Sequence, residues 1–288
     1  MRVTPVLSGG SMATTADGLR LKPVAGADWA LKASVRLWFA VVLVGQLIFV
    51  IHIASFYGRA ALAGDFNRWN KILSRGFVPG DSVGNGVLAT HLAVAALITF
   101  LGLLQLMPRI RAHYPTFHRW VGRSYVVIAV LAGGSALYLN VIRGGTPGGF
   151  LQHATINVDA LLILIFAACA LRYALARNFA AHRRWATRLF LAVSGVWFFR
   201  TGVFFWILIN QGAVGFNPDT FEGPALVVLG VVAYFLPLGV FELYWRAQQR
   251  GGPAARFAVA GTLVVQTLAM ALGVFGHAMF MLSSGTAF

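Results

Sequence analysis

The stretch GVLATHLAVAALITFLGLLQLM, residues 86–107, contains no Asp, Glu, Lys or Arg. At about 1.5 Å of rise per residue it makes a helix of about 33 Å, enough to cross the hydrocarbon core of a bilayer. Six more predominantly apolar runs of similar length accompany it, at 35–57, 119–142, 154–175, 185–211, 224–245 and 257–283. They take up most of a 288-residue chain that is 58% hydrophobic and 11% charged, with a mean hydropathy of +0.75. Soluble domains carry about 25% charged residues. The expected fold is therefore an all-α integral membrane protein with seven transmembrane helices, residues 35–283 forming the membrane domain. Residues 1–34 lack a signal-peptide core and are expected to be a cytoplasmic, largely disordered tail. Cys169 is the only cysteine, which excludes disulfides, thiolate-ligated iron–sulfur clusters and the C-x-x-C-H haem attachment.

The net charge of +15 is explained by its placement. Seventeen of the 23 Lys and Arg fall before or at the edge of the first span, or in the loops after spans two, four and six and the span edges beside them; five fall in the alternate loops, and Arg200 lies deep within a span. The positive-inside rule then puts the N-terminus in the cytoplasm and the C-terminus in the periplasm of a bacterial inner membrane. Such a charge attracts anionic headgroups of the lipid bilayer, and no nucleic-acid partner is expected. The loop 58–86 is the longest connection and is expected to hold a short interfacial helix.

Two segments at the basic ends of spans three and five resemble each other. Residues 116–125 read TFHRWVGRSY and residues 180–190 read AAHRRWATRLF. Both place a His-Arg pair before W-x-x-R, so spans two and three correspond to spans four and five. This predicts a four-helix core, helices two to five, built from a tandem two-helix repeat. Pro115 suits a first helical position and Asn178 an N-cap. Trp120, Trp185, Arg119 and Arg183 suit interfacial anchoring on their own account.

Interfacial anchoring does not call for histidine. Each core helix carries one: His91 on two and His153 on four toward one side, His118 on three and His182 on five toward the other. Two haem b groups would take one imidazole from each face, His91 with His153 and His118 with His182. Arg119, Arg123, Arg183 and Arg188 stand where the inner propionates would need cations. Position i+4 from each histidine is small in three of four cases: Ala95, Gly122 and Ala186, with Asn157 the exception.

His91, the stretch Gly102–Gln105, HRWVGR and HRRWATR resemble an uncharacterised bacterial family of membrane proteins, known as a domain of unknown function; the likeness spans about His91 to Arg200. The one-histidine-per-helix layout is more distantly similar to the cytochrome b561 electron carriers, which use four histidines on consecutive helices for two haems. That likeness implies electron transfer, with a quinone and a redox partner protein as the expected partners.

Other chemistries remain open. Asp159 and Arg200 are charges inside spans, where charges usually pair. Arg200 follows His182 by 18 residues, five full turns, so a buried Asp159–Arg200 ion pair is expected, serving as a structural clip or as part of a polar pocket. His52, His91, His277 and Asp159 (or His153) are an alternative metal set, suited to zinc in an outer-leaflet site like that of seven-helix membrane hydrolases. Those hydrolases resembling ceramidase carry H-x-x-x-H on the last helix, where this chain has GHAMFM with one His. Asn140, Asn157 and Gln105 are expected to bond between helices. A non-catalytic membrane subunit or a transporter completes the range; Pro224 and Pro237 in span six would allow a kink.

Overall fold

The computed structural model describes residues 25–73, 75–144 and 148–283. Among these residues the chain is all helical, with no strand. A first rod runs as α1 (Ala25–His52), a π-helical turn (Ile53–Gly58) and α2 (Arg59–Leu62). There follow α3 (Ser82–Leu106), the short α4 (Pro108–His113), α5 (Pro115–Leu137) with a π-helical turn (Tyr138–Ile142), and α6 (Phe150–Leu175). The chain closes with α7 (Phe179–Val193), α8 (Gly195–Asn210), α9 (Pro224–Arg250) and α10 (Pro253–Ser283). Six of these helices are long and apolar enough to cross a membrane, and α7 with α8, bent by 48°, makes a seventh if the pair is one span. The loop after the first rod holds a short helix of the 3-10 type, Phe66–Lys71.

Local chemistry sets the ends. Pro115 opens α5, where its missing N–H costs nothing. The Asn178 side chain caps α7 by accepting from the Ala181 amide at 3.1 Å. Between α6 and α7, Arg177 takes a left-handed φ of 54°, which turns the chain back within a few residues. The first helix begins at Ala25, ten residues before the expected boundary of the disordered tail; residues 1–24 lie outside the described residues. An ion pair between Asp28 and Arg256 ties this early turn to the start of α10, which accounts for the longer helix.

Packing gathers the buried side chains into three clusters, the smallest joining Leu31 of α1, Val240 of α9 and Leu263 of α10. Toward the basic end, Ile98 of α3, Tyr125 and Ala129 of α5, Ile163 and Ala167 of α6, and Leu189 of α7 form one core. Toward the other end the larger core gathers Phe49 and Phe56 of the first rod, Trp197 and Val203 of α8, Tyr234 of α9 and Val274 of α10. The fifth span belongs to both. Its bend lies at Ser194, whose hydroxyl donates to the Phe190 carbonyl at 2.8 Å and accepts from Gln46 Nε2 at 2.9 Å. Serine bonding back four residues bends helices, and a Ser-Gly pair is a common kink site. With lipid offering no hydrophobic drive, small residues let these helices meet. A Cβ on Gly273 would lie 2.1 Å from the Thr201 carbonyl, so α10 and α8 touch through their backbones.

Candidate functional site

α3, α5, α6 and α7 pack in sequence around the bundle, while α3 with α6 and α5 with α7 stand on its diagonals without close backbone approach. The four core histidines therefore fall in diagonal pairs, His91 opposite the α6 that carries His153, and His118 opposite the α7 that carries His182. The inner two are near enough for their charges to interact.

Hydrogen bonds fix two of these rings. His182 Nδ1 donates to the Ala170 carbonyl at 2.9 Å; a carbonyl only accepts, so the Nε2 lone pair stays free. His91 Nδ1 lies 2.8 Å from Ser135 Oγ, whose own proton goes to the Leu131 carbonyl at 2.6 Å. Ser135 then accepts from His91, and the Ala132 carbonyl of the same helix also accepts from the His91 ring, so α5 holds this imidazole at two points. This is the arrangement that orients an imidazole toward an iron or other metal. His118 Nδ1 is buried with no protein partner, and its own carbonyl accepts from Gln105 Nε2 at 3.2 Å. The His153 carbonyl accepts from Asn140 Nδ2 at 3.0 Å, and Asn140 also donates to Asn157 Oδ1 at 2.8 Å. The interhelical roles expected of Asn140, Asn157 and Gln105 are thus present, with Asn140 presented by the π-helical turn.

The expected arginine set is divided. Arg119 donates to Thr116 Oγ1 at 3.1 Å, Arg123 lies 5.1 Å over the Trp120 ring, and Arg183 leans on the Phe179 carbonyl at 3.4 Å. Arg188 is committed elsewhere. It bonds Glu242 of α9 at 2.6 Å, next to Arg184 at 2.5 Å on the other carboxylate oxygen. The twin motifs also diverge: Trp120 is 62% exposed, whereas Trp185 packs on Phe166 at 5.6 Å and beneath Arg188 at 4.3 Å.

The buried ion pair expected between Asp159 and Arg200 does not form. The ion pairs among the described residues are Asp81–Arg143, Glu242 with Arg184 and Arg188, and Asp28–Arg256. The guanidinium of Arg200 lies 5.8 Å over the Phe49 ring on the first rod. Asp159 instead faces Gly195, with Oδ2 2.7 Å from where a Cβ would stand, and its Oδ1 is buried with no protein partner. Five turns bring a residue back to the same face only along a straight helix, and the bend at Ser194 breaks that phase.

The alternative metal set does not converge either. His52 and His277 meet edge to face with ring centroids 5.3 Å apart, and Phe204 stacks on His277 at 4.8 Å. His91 and Asp159 line a separate cavity of about 90 Å³ with Ala95, Thr99 and Trp197, a space for about three waters. Among the described residues no three His, Cys, Asp or Glu gather as a metal would require. The two histidines belong to the first and last helices, which pack on each other, while the other two face the four-helix core.

The family described as "Predicted membrane protein (DUF2306)" matches residues 88–237, just over half the chain. The chain belongs to the DUF2306 family. No curated protein and no solved structure matches it. The DUF2306 region runs from α3 to Pro237, midway along α9. It contains all four core histidines, Asp159 and Arg200, and it leaves out His52, His277 and Glu242. Glu242 was missed in the sequence because a single carboxylate near a helix end has no spacing partner to flag it. Gln46 was missed for the same reason, since its partner Ser194 lies 148 residues away.

Proposed function

We propose that the protein is a b-type haem carrier that passes electrons between a membrane quinol pool and a partner protein, in a bacterial inner membrane with its N-terminus cytoplasmic and C-terminus periplasmic. The carrying observation is the hydrogen bonding of two rings, His182 held through Nδ1 by the Ala170 carbonyl and His91 held by Ser135 and the Ala132 carbonyl, on helices that oppose another histidine-bearing helix across a bundle diagonal. The donor set suits the group. A bound b haem supplies a one-electron couple at an iron that takes one imidazole nitrogen on each face. His118 with His182 would hold the inner group and His91 with His153 the outer one. Arg119, Arg123 and Arg183 would meet the inner propionates; Arg188 is held by Glu242. The inner pair has the stronger support, because the cavity beside His91 has a volume of only about 90 Å³.

The tandem repeat is part of this proposal, each two-helix unit contributing one outer and one inner histidine. The Ala170 carbonyl and the Ser135 hydroxyl act as positioning groups that orient the two rings. Visible spectra of the purified protein, oxidised and dithionite-reduced, with elemental analysis of the same sample, test the reading. A sharp reduced α-band of six-coordinate b haem is expected, weakened by His182→Ala. A colourless protein without iron overturns the proposal, as does an α-band that survives replacement of all four core histidines.

A further inference from the structure

A cavity of about 710 Å³ lies outside the four-helix core, between α1, α7, α9 and α10 near the basic end. Its volume falls in the usual range of small-molecule sites, about 300–1,000 Å³. Along α9 its lining reaches from Pro237 to Gln249, twelve residues, or about 18 Å of helix.

The lining has a particular chemistry. Six aromatic side chains contribute: Trp38, Phe39, Phe190, Phe241, Tyr244 and Trp245. Arg36 and Arg183 add two cations, and no acidic side chain lines the cavity among the described residues. Tyr244 OH accepts from Gln248 Nε2 at 3.2 Å, so its own proton is available to a ligand. Gln266 lines the cavity thirteen residues into α10, about 20 Å from that helix's start. Its Oε1 is buried with no protein partner. Burying an acceptor unsatisfied is costly, so this atom points to a ligand that donates.

We propose that this cavity binds the ring of a lipid-soluble quinone or quinol. A flat ring stacks against the aromatic walls. Its carbonyl oxygens accept from Arg36, Arg183 and Tyr244, and in the reduced form its hydroxyl donates to Gln266 Oε1. A phospholipid would engage the two arginines, but its acyl chains have no use for the buried Gln266 acceptor. The location adds a reason. Arg183, Thr187, Phe190 and Leu191 are one face of α7, and His182 on the same helix turns instead toward Ala170 of α6. One helix, about 10 Å thick, separates the cavity from the inner histidine pair.

The inference rests on the electron-carrier reading for its purpose, but its test needs no cofactor. An azido-quinone photolabel is applied to the purified protein in micelles, and labelled peptides are mapped by mass spectrometry. Labelling is expected in residues 35–39, 237–249 and 263–266, saturable and suppressed by excess decylubiquinone. Gln266→Met and Arg183→Gln, each checked for a monodisperse elution profile, are expected to raise the concentration for half-labelling about tenfold. Unsaturable labelling, labelling confined to other helices, or unchanged affinity in both variants overturns the proposal. So does displacement by phosphatidylglycerol but not by decylubiquinone, which would make the cavity a lipid site. A protein that labels here yet holds no haem leaves the quinone site standing and removes the electron-carrier reading.

Discussion

Replacing Gly273 by alanine tests whether α10 and α8 touch through their backbones. The added Cβ would lie 2.1 Å from the Thr201 carbonyl oxygen, 2.8 Å from Thr201 Cγ2 and 3.0 Å from the Thr201 carbonyl carbon. Real Cβ contacts do not go below 3.0 Å, so the helices must part by at least about 0.9 Å. The obstacle is main chain held in a helix, and no rotamer change relieves it. Overpacking costs about 1–3 kcal/mol, and with backbone on both sides about 3 kcal/mol is expected. Alanine's better helix propensity returns about 0.5–1 kcal/mol. The net loss is then about 2 kcal/mol, roughly thirtyfold in the folded-to-unfolded ratio.

Two glycines of the same helix calibrate the measurement. Gly276→Ala would meet Phe204 at 3.4 Å, an ordinary contact, and Gly261→Ala would meet nothing within 4 Å. The first is expected to be near neutral and the second stabilising by about 0.5–1 kcal/mol. Reversible unfolding in mixed detergent–SDS micelles, followed by circular dichroism, gives all three midpoints. If Gly273→Ala unfolds at the same midpoint as Gly261→Ala, the close approach of α8 and α10 is wrong.

Two further variants probe the charged groups. Glu242→Gln leaves Arg184 and Arg188 facing each other without their shared carboxylate. With Arg184 37% exposed and therefore partly screened, a loss of about 1–2 kcal/mol is expected in the same unfolding assay; no change would mean that the bridge contributes nothing. For Asp159→Asn with Arg200→Gln, a double-mutant cycle is expected to give a coupling below about 0.5 kcal/mol, as for groups that share no contact. A coupling of several kcal/mol would restore the direct ion pair.

Hydropathy alone located the six long apolar helices and the α7–α8 pair, because a bilayer demands long apolar helices with internally paired backbones. Cap chemistry located the starts of α5 and α7, where Pro115 and Asn178 act over three or four residues. What was not legible depends on distant partners or on helix phase. In the apolar run around Ser194 the Ser194-Gly195 pair is the one local sign of a 48° bend, and the Gln46 that meets its hydroxyl lies 148 residues away. Once that bend is missed, the face carrying Arg200 is misassigned, and with it the partner of Asp159. The histidine layout was readable as one ring per core helix, but the groups that orient His91 and His182 were not. Ser135 is an ordinary small residue in a membrane helix, and the Ala170 acceptor is a backbone atom that no side-chain motif marks.

The packing of α1 on α10 bears on how the chain is made. Residue 277 is synthesised 225 positions after residue 52. At about 5–20 residues per second, the interval between them is roughly 10–45 s. α1 thus waits for its principal neighbour until α10 has been translated. Throughout that delay His52, only 1% exposed in the folded protein, has no His277 beside it. A polar ring facing hydrocarbon is costly, so the nascent chain has reason to keep α1 sheltered until α10 is made. A ribosome-arrested product truncated before α10 should therefore be a ready substrate for membrane proteases, while the full-length chain should resist them.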